Sequence, residues 1–441
     1  MGQEHWTDAV LDAMREEMDP IADKVVEAIY ASGDLDGVNR LLMHLVRNDS
    51  PPSPAVTTLV DEYFANTATL PAWADPAQIE IAEGLFSEHG LLGTAILCCA
   101  SLPECYLDQR DVPVLASTQQ LERHVYRRIW ETSHMVITVM QPGGMAPVPA
   151  LATVTVPARA RRKRTVVATT TAAAGPDRAR PGEGIRCCQK VRLMHAAIRH
   201  LLLADDGPVG APDHLGRKLA AQHWNKALGL PINQESMAYV ILTFSYVGLR
   251  GLDTLGVALT GAQREAYIHA WSVIGHVMGV RDELLARNFV DAEFLFKKIK
   301  RRQIGPSDDG KALTGALIAW MSNTMPHPFK GLPKELVCEL LGPDAAVLGV
   351  RLDPEEGVEE GVFAAALRNL THLASELMMH TPLRRGAEML FHAIVQEVWD
   401  MEKGWGRETF ALPPALTKSW RIQKQAKSGI AHAGNAQPPA H

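Results

Sequence analysis

The sequence predicts an all-α protein, and three observations carry that prediction. Helical periodicity dominates the 441 residues, and stretches with the strict apolar–polar alternation of a half-buried strand are hard to find. Helix punctuation recurs: Thr260-Gly261-Ala262-Gln263 is a capping box, with Thr at the N-cap and Gln at N3, and Gln141-Pro142-Gly143-Gly144 is a stop. The run from Gln189 to Leu202 is apolar almost all the way round, the mark of a helix buried on every side. With 46% hydrophobic residues the chain can build a large core, and its length alone suggests about two or three domains.

The elements follow in order. Residues from about Asp8 to Ile29 read as one or two amphipathic helices, stopped by Ser32-Gly33. A short helix from about Asp36 to Val46 ends at the break Asp49-Ser50-Pro51-Pro52. Ile79 to Phe86 and Gly90 to Ala100 are helical stretches that run up to Leu102-Pro103, and a long helical pattern spans Thr118 to Met140. Between Ala146 and Glu183 periodicity fails. Ala, Thr, Val and Pro surround the basic cluster Arg159, Arg161, Arg162, Lys163 and Arg164, with no aromatic residue interleaved to stack on bases, so this reads as a solvated, poorly ordered insertion. Asn233 opens a helix after Leu230-Pro231, and Gly248 is expected to end it. The capping-box helix runs to about Gly279; helical blocks follow at Lys311 to Ser322 and Glu360 to Met379, and residues past about Gln425 read as a disordered tail. The domain organisation expected is an N-terminal helical segment (1–50), a main domain (60–300, with the 146–183 insertion), a C-terminal helical region (301–425) and the tail (426–441).

Composition removes several classes. Charged residues make up 21% and the formal net charge is −6, so no global basic field draws in nucleic acid. Six cysteines include the adjacent pairs Cys98-Cys99 and Cys187-Cys188 and no C-x-x-C, which argues against zinc ribbons, redox dithiols and covalent haem attachment. The opening residues Met1 to Trp6 lack a basic and an apolar region, no apolar run reaches about 18 residues, and a cytoplasmic protein without a transmembrane span is expected. No H-E-x-x-H, Walker A, G-x-S-x-G or G-x-G-x-x-G occurs.

The buried-type helix is also where chemistry is concentrated. Arg192, His195 and Arg199 fall at i, i+3 and i+7, within a stripe roughly 60° wide. Two cations and an imidazole in an interior are costly unless something anionic or metallic meets them. A haem would satisfy all three, with iron for the imidazole and propionates for the guanidiniums. A hydrogen-bonded histidine between two snorkelling arginines would do so without any cofactor.

A second helix places His124, Glu131, Thr132 and Met135 within about 60° of Arg128, a cation, carboxylate, hydroxyl and imidazole on one face. That is a kit for activating a small ligand, or an exposed face laced with ion pairs. His269 and His276 share a face two turns apart, about 10.5 Å along the axis and too far for one metal ion. They read as core or supporting histidines.

Arg192-x-x-His195-x-x-x-Arg199-His200, the turn Leu230-Pro231-Ile232-Asn233-Gln234-Glu235, the Tyr267–Gly279 helix and Arg128-x-x-Glu131-Thr132 together resemble the latex clearing protein family of rubber oxygenases, in the superfamily shared with the fungal mycophenolate-pathway oxygenase. The resemblance covers roughly Tyr63 to Leu285. It implies a non-covalent haem b with His195 as the proximal iron ligand and Arg192, Arg199 and His200 around it. His269 and His276 match two further family histidines of structural or supporting kind, and Arg128 and Thr132 match the distal Arg-x-x-Lys-Thr motif. The family chemistry is cleavage of an isoprenoid double bond by dioxygen, with a distal carboxylate as base. Two departures stand out. The distal lysine is Glu131, and the family's separate carboxylate would fall near Val112, where Asp111 is the neighbour; Glu131 and Asp111 remain alternatives for the base. With no export signal in view, an apolar small molecule inside the cell is expected in place of polyisoprene.

The expectation is therefore a helical bundle enclosing a buried b-type haem between the 121–140, 190–204 and 262–279 helices. It would act as an oxygen-dependent oxidoreductase on a hydrophobic, isoprenoid or lipid-like substrate. The alternatives are a haem-binding protein without turnover and a cofactor-free helical interaction protein.

Overall fold

A computed structural model describes residues 3–31, 54–117, 132–146, 182–203, 225–324 and 329–352. Every regular element among them is helical, and among the described residues the one extended pairing is an isolated antiparallel bridge between Asp108 and Ile304. The all-α expectation is met. The helices expected at 36–46 and 360–379, the tail past 425, residues 118–131 and 147–181 of the insertion lie outside the described residues.

The N-terminal pattern resolves into two helices, α1 (Asp8–Arg15) and α2 (Pro20–Ala31). The Thr7 hydroxyl caps α1 by accepting from the Val10 amide at 3.2 Å. Pro20 supplies a preset φ where α2 begins, and Asp19 and Asp23 accept the amides of Ala22 (3.4 Å) and Asp19 (3.0 Å) around that start. Helix α3 covers Pro54–Asn66.

The two stretches expected near residues 79 and 100 are one element with a bend. Helix α4 (Pro76–Ile96) leaves helical geometry at His89 (φ −114°, ψ 20°), passes into a π-turn at Leu97–Ser101 and continues as the short α5 (Leu102–Tyr106). Gly90 beside the bend weakens the helix there. Helix α6 is Val112–Ser117, and residues 132–140 form α7, which closes at the expected Gln141–Gly144 stop.

Helix α8 (Glu183–Leu203) is the buried-type run. Asn233 caps α9 (Gln234–Phe244), accepting from the Ser236 amide at 3.0 Å. Gly248 does not end this helix. The break falls at Ser245, whose hydroxyl donates back to the Ile241 carbonyl at 2.8 Å, and Gly248 lies inside the next helix, α10 (Tyr246–Thr254). Periodicity cannot distinguish a stop glycine from one inside a helix. A Cβ on Gly248 would lie 3.6 Å from the Tyr267 ring and hydroxyl.

The capping box opens α11 (Gly261–Val277) as expected, with both reciprocal bonds present, and Gly279 (φ +89°) turns the chain out of it. Helices α12 (Phe289–Gln303), α13 (Asp308–Thr324) and α14 (Leu332–Leu341) follow. The division expected at residue 300 falls inside α12, and Leu11, Trp271, Ile299, Leu317 and Leu340 all belong to one apolar cluster. A smaller cluster holds α2 and α3 against Val114 and α8. Helix α8 separates the two: Ile185, Cys188 and Val191 face the large cluster, while Leu193, Met194, Ala197 and Ile198 face the small one.

Among the described residues no single helix is long and apolar enough to cross a membrane.

Candidate functional site

Helix α8 is buried as its composition demands, and hydrogen bonds fix its rotation. The Gln189 side chain, fully buried, donates to the Phe64 carbonyl and the Thr67 hydroxyl, both at 2.8 Å. Tyr63 donates to the Gln189 carbonyl at 2.9 Å. One turn on, Arg192 makes a bidentate pair with Asp19, Nε to Oδ2 at 2.5 Å and Nη2 to Oδ1 at 2.8 Å. Arg199 donates from Nε to Asp23 Oδ1 at 2.8 Å and from Nη1 to the Ile232 carbonyl at 3.3 Å. Burial pushes the Asp23 carboxyl above the ordinary range, against the pull of Arg199.

The anions that meet these arginines are therefore carboxylates at the start of α2, Asp19 just before it and Asp23 in its first turn. The charge balance expected from haem propionates is supplied within the chain. The aspartates were legible only as ordinary helix-start residues beside Pro20, and nothing in their spacing ties them to α8.

His195 sits on the same stripe, half-buried between the two matched arginines, and His200 is half-buried one turn further. Among the described residues no three His, Cys, Asp or Glu side chains converge as a metal cage. A porphyrin brings its own ring of nitrogen donors and would ask the protein for one imidazole nitrogen, a donor of the kind His195 carries. The donor fits a haem; the arginines, already bidentate to Asp19 and bound to Asp23, do not fit as free propionate clamps.

The helix on which the sequence places the distal residues is described in part. Thr132 opens the described part of α7 half-buried, with Met135 and Val136 buried behind it. Arg128, Glu131 and His124 lie outside the described residues. His134 is held below the ordinary histidine pKa by burial, with Glu183 opposing.

Asp111 is engaged elsewhere. Its Oδ2 accepts a very short bond from the Ser236 hydroxyl and lies 3.7 Å from Arg15 Nη1, which is also 3.5 Å from Glu235. Burial raises its pKa, with Arg15 opposing, and the neighbouring buried Asp108 is raised further. This network ties α1, the 108–111 loop and α9 together, with Arg302 closing the outer side on Glu235 at 2.8 Å.

His269 and His276 both flank Trp73, edge-on, at centroid distances of 5.8 and 6.0 Å. His269 Nε2 accepts the Asp75 amide at 2.8 Å; His276 Nδ1 lies 2.6 Å from Asp282 Oδ1, and Asp282 also accepts from Trp73 Nε1 at 2.9 Å. The two histidines thus clamp the 67–75 loop at the head of α4. Their supporting role has a tryptophan at its centre, a partner sequence spacing could not reveal. Arg287 covers the other face of that ring at 3.7 Å.

Between α4, the π-turn, α7, α9, α10 and α11 lies a small cleft of about 30 Å³. Leu85, Phe86, Ile96, Leu97, Val136 and Leu252 give it apolar walls, and Val136 lies one helical turn beyond Thr132. The sequence showed these as core residues and gave no sign that they enclose space.

Comparisons with known proteins give the chain a family and a fold relative. Residues 87–385 match the family described as ER-bound oxygenase mpaB/B'/Rubber oxygenase, catalytic domain. The chain belongs to that family. It is similar to the rubber oxygenase of Streptomyces sp. (strain K30), at 23% identity over 301 residues, covering 68% of this chain and 62% of that enzyme. Its fold is similar to a solved structure of latex clearing protein in the closed state, with a TM-score of 0.61 at 20% identity, over 86% of this chain and 90% of that one.

Proposed function

We propose that the protein is a haem b-dependent oxygenase that acts with dioxygen on a hydrophobic small molecule, isoprenoid or lipid-like in character. The observation that carries the reading is His195, an imidazole on an otherwise buried helix whose flanking cations are already neutralised. A helix so arranged can offer a neutral nitrogen to iron without further charge imbalance. Family membership supports the reaction class, and the apolar cleft beside α7 supports the substrate class.

The haem, when bound, supplies the redox chemistry with dioxygen. The chain's residues do the rest. His195 holds the group, and the Arg192–Asp19 and Arg199–Asp23 pairs lock the rotation of α8 that aims the imidazole. Thr132 provides a hydroxyl at the start of the described part of α7, and Arg128, four residues earlier in the sequence, would supply a cation. Glu131 is assigned as the carboxylate that takes the substrate proton, because Asp111 is already committed to Ser236 and sits beside Arg15. The apolar walls of the cleft exclude water and favour a greasy ligand.

Absorption spectroscopy on protein expressed with haem supplied tests this directly. The expected result is a Soret band near one haem per chain that His195→Ala abolishes. Full Soret absorbance in the His195→Ala protein would sink the assignment of the ligand. Glu131→Gln is expected to keep the haem and lose oxygen uptake with unsaturated isoprenoids, whereas Asp111→Asn is expected to lower stability first.

The satisfied arginines favour one second reading, a helical protein without a cofactor. Its signature is a colourless, well-folded chain from the same haem-supplemented expression.

A further inference from the structure

Where the 108–111 loop meets α1 and α9, more carboxyls than cations enter the interior. Asp108 and Glu235 are buried, and the Asp111 side chain is 15% exposed. Arg15 is the guanidinium enclosed with them, its Nη1 3.5 Å from Glu235 and 3.7 Å from Asp111. Arg302 reaches Glu235 from the outer side, where it is shared with Asp8 and Asp12. Arg110 is exposed and acts on Asp111 from the solvent side. On α5, Glu104 pairs with Lys300 at 2.5 Å and with Arg250 at 3.4 Å, while burial keeps Cys105 and Tyr239, the other titratable neighbours of Asp108, in their neutral forms.

Hydrogen bonds show how that excess is met. Asp108 Oδ1 accepts the amides of Arg110 (3.0 Å) and Asp111 (3.2 Å), which fixes its carboxyl and leaves Oδ2 for a proton. Asp111 Oδ2 accepts from Ser236, whereas its Oδ1 is buried and meets no N–H or hydroxyl donor. The Asp108 carboxyl lies within hydrogen-bond reach of Asp111. A carboxylate only accepts, so two carboxyl groups bond to each other only when one of them is protonated. A buried acid without a cation takes up a proton instead of staying charged. Burial, with the Asp111 charge adding to it, raises Asp108 well above the ordinary 3.8. Burial raises Asp111 too, but Arg15 and Ser236 oppose it.

We propose that Asp108 and Asp111 share one proton, carried on Asp108 and donated to the Asp111 carboxylate, and that this proton latches the 108–111 loop to α1 and α9. When it leaves at higher pH, two carboxylates face each other and the joint loosens. The latch reaches beyond the loop. Ser236 follows the turn whose Ile232 carbonyl accepts from Arg199 of α8 at 3.3 Å. Ile232, at φ +52°, is the one non-glycine among the described residues in the left-handed region. A β-branched residue keeps that conformation only where its surroundings hold it, and Asp111, through Ser236, is part of that hold.

Urea denaturation of the full chain over a pH series, beside Asp108→Asn and Asp111→Asn, tests the latch. Asparagine carries an N–H where a protonated acid carries its O–H, so Asp108→Asn keeps the bond to Asp111 and removes the titration. An acid raised in the folded state favours folding below its unfolded value and becomes a growing cost as the pH climbs from 3.8 to the folded value. Over that interval the unfolding constant of the unchanged chain, relative to Asp108→Asn, is expected to rise about tenfold per pH unit. Asp111→Asn takes the anion away from Arg15 and is expected to raise the unfolding constant about tenfold or more. With ¹³C-labelled aspartate, the infrared spectrum of the folded chain in mildly acidic buffer is expected to hold a protonated-carboxyl band that Asp108→Asn lacks. Parallel pH curves for the unchanged chain and Asp108→Asn, the reverse ranking of the two variants, or an Asp108→Asn chain that does not fold would each overturn the proposal. So would a spectrum of the unchanged chain without that band, a reading that needs no variant. Each of these measurements is made on the chain alone and stands apart from the oxygenase reading.

Discussion

Helix α8 buries two guanidiniums and meets them with carboxylates at the start of α2, whereas α11 buries no full charge and holds its histidines with a tryptophan, a backbone amide and an aspartate. Both helices read from sequence as buried elements carrying histidines on one face, and the difference between them lies wholly in their partners. In α8 the partners are ions, so each depends on the other to stay tolerable away from water. In α11 the partners are neutral or half-exposed, and Trp73 can lose one contact while keeping the rest. The helix most dependent on paired charge is the one whose imidazole is proposed to hold a haem, and the helix with the more forgiving contacts shapes the cleft.

That contrast can be broken at its strongest point first. Arg192→Ala strands the Asp19 carboxylate, whose side chain is 7% exposed, and is expected to cost about 3–5 kcal/mol in urea denaturation. The single change Arg192→Met is expected to cost nearly as much, because Asp19 stays behind. The pair Arg192→Met with Asp19→Leu is expected to recover most of the loss, since a buried ion pair replaced by apolar groups is often neutral. A double variant no better than the single would show that the pair does more than balance charge.

Next comes the α11 clamp. His269→Ala removes the acceptor of the Asp75 amide and one wall of the Trp73 pocket, and about 1–3 kcal/mol is expected from the same measurement. The contrast also has a pH signature. Burial holds His269 below the ordinary value of 6.5, so its neutral form is favoured in the folded state. Its contribution to stability is fully present above pH 6.5 and is lost as the pH falls through its lower folded value. A thermal midpoint that declines on acidification below that point, and declines less in His269→Gln, is the expected outcome; identical pH curves for the two proteins would remove His269 as a contributor. The smallest effect sharpens the helix itself: Thr260→Ala removes the exposed capping box of α11 and is expected to cost about 1 kcal/mol, with no change in haem content.

The sequence was readable where one helix carried its own explanation. The α11 capping box, the stop after α7 and the all-round burial of α8 are local patterns, and each is found where local chemistry puts it. Partners across the fold were not readable. Asp19 and Asp23 stand more than 170 residues from the arginines they neutralise, at 173 and 176 positions respectively, and Trp73 is equally remote from His269. Asp111 lay at the right spacing for a distal base, yet its hydroxyl partner, Ser236, comes from a helix 125 residues on. Gly248 misled for a related reason, since a glycine inside a helix looks the same in sequence as one that ends it.

The thiols draw one more consequence from the packing. Burial pushes Cys98, Cys105 and Cys187 up to about 12, and Cys99 and Cys188 higher still, so at pH 8 roughly one in ten thousand or fewer is a thiolate. Alkylating reagents and peroxides react with the thiolate alone, and the folded chain therefore shields these sulfurs from both. Their modification has to wait for the chain to open. The rate at which iodoacetamide labels the π-turn pair Cys98-Cys99 becomes a clock for unfolding of the central core, readable by mass spectrometry in a crude extract.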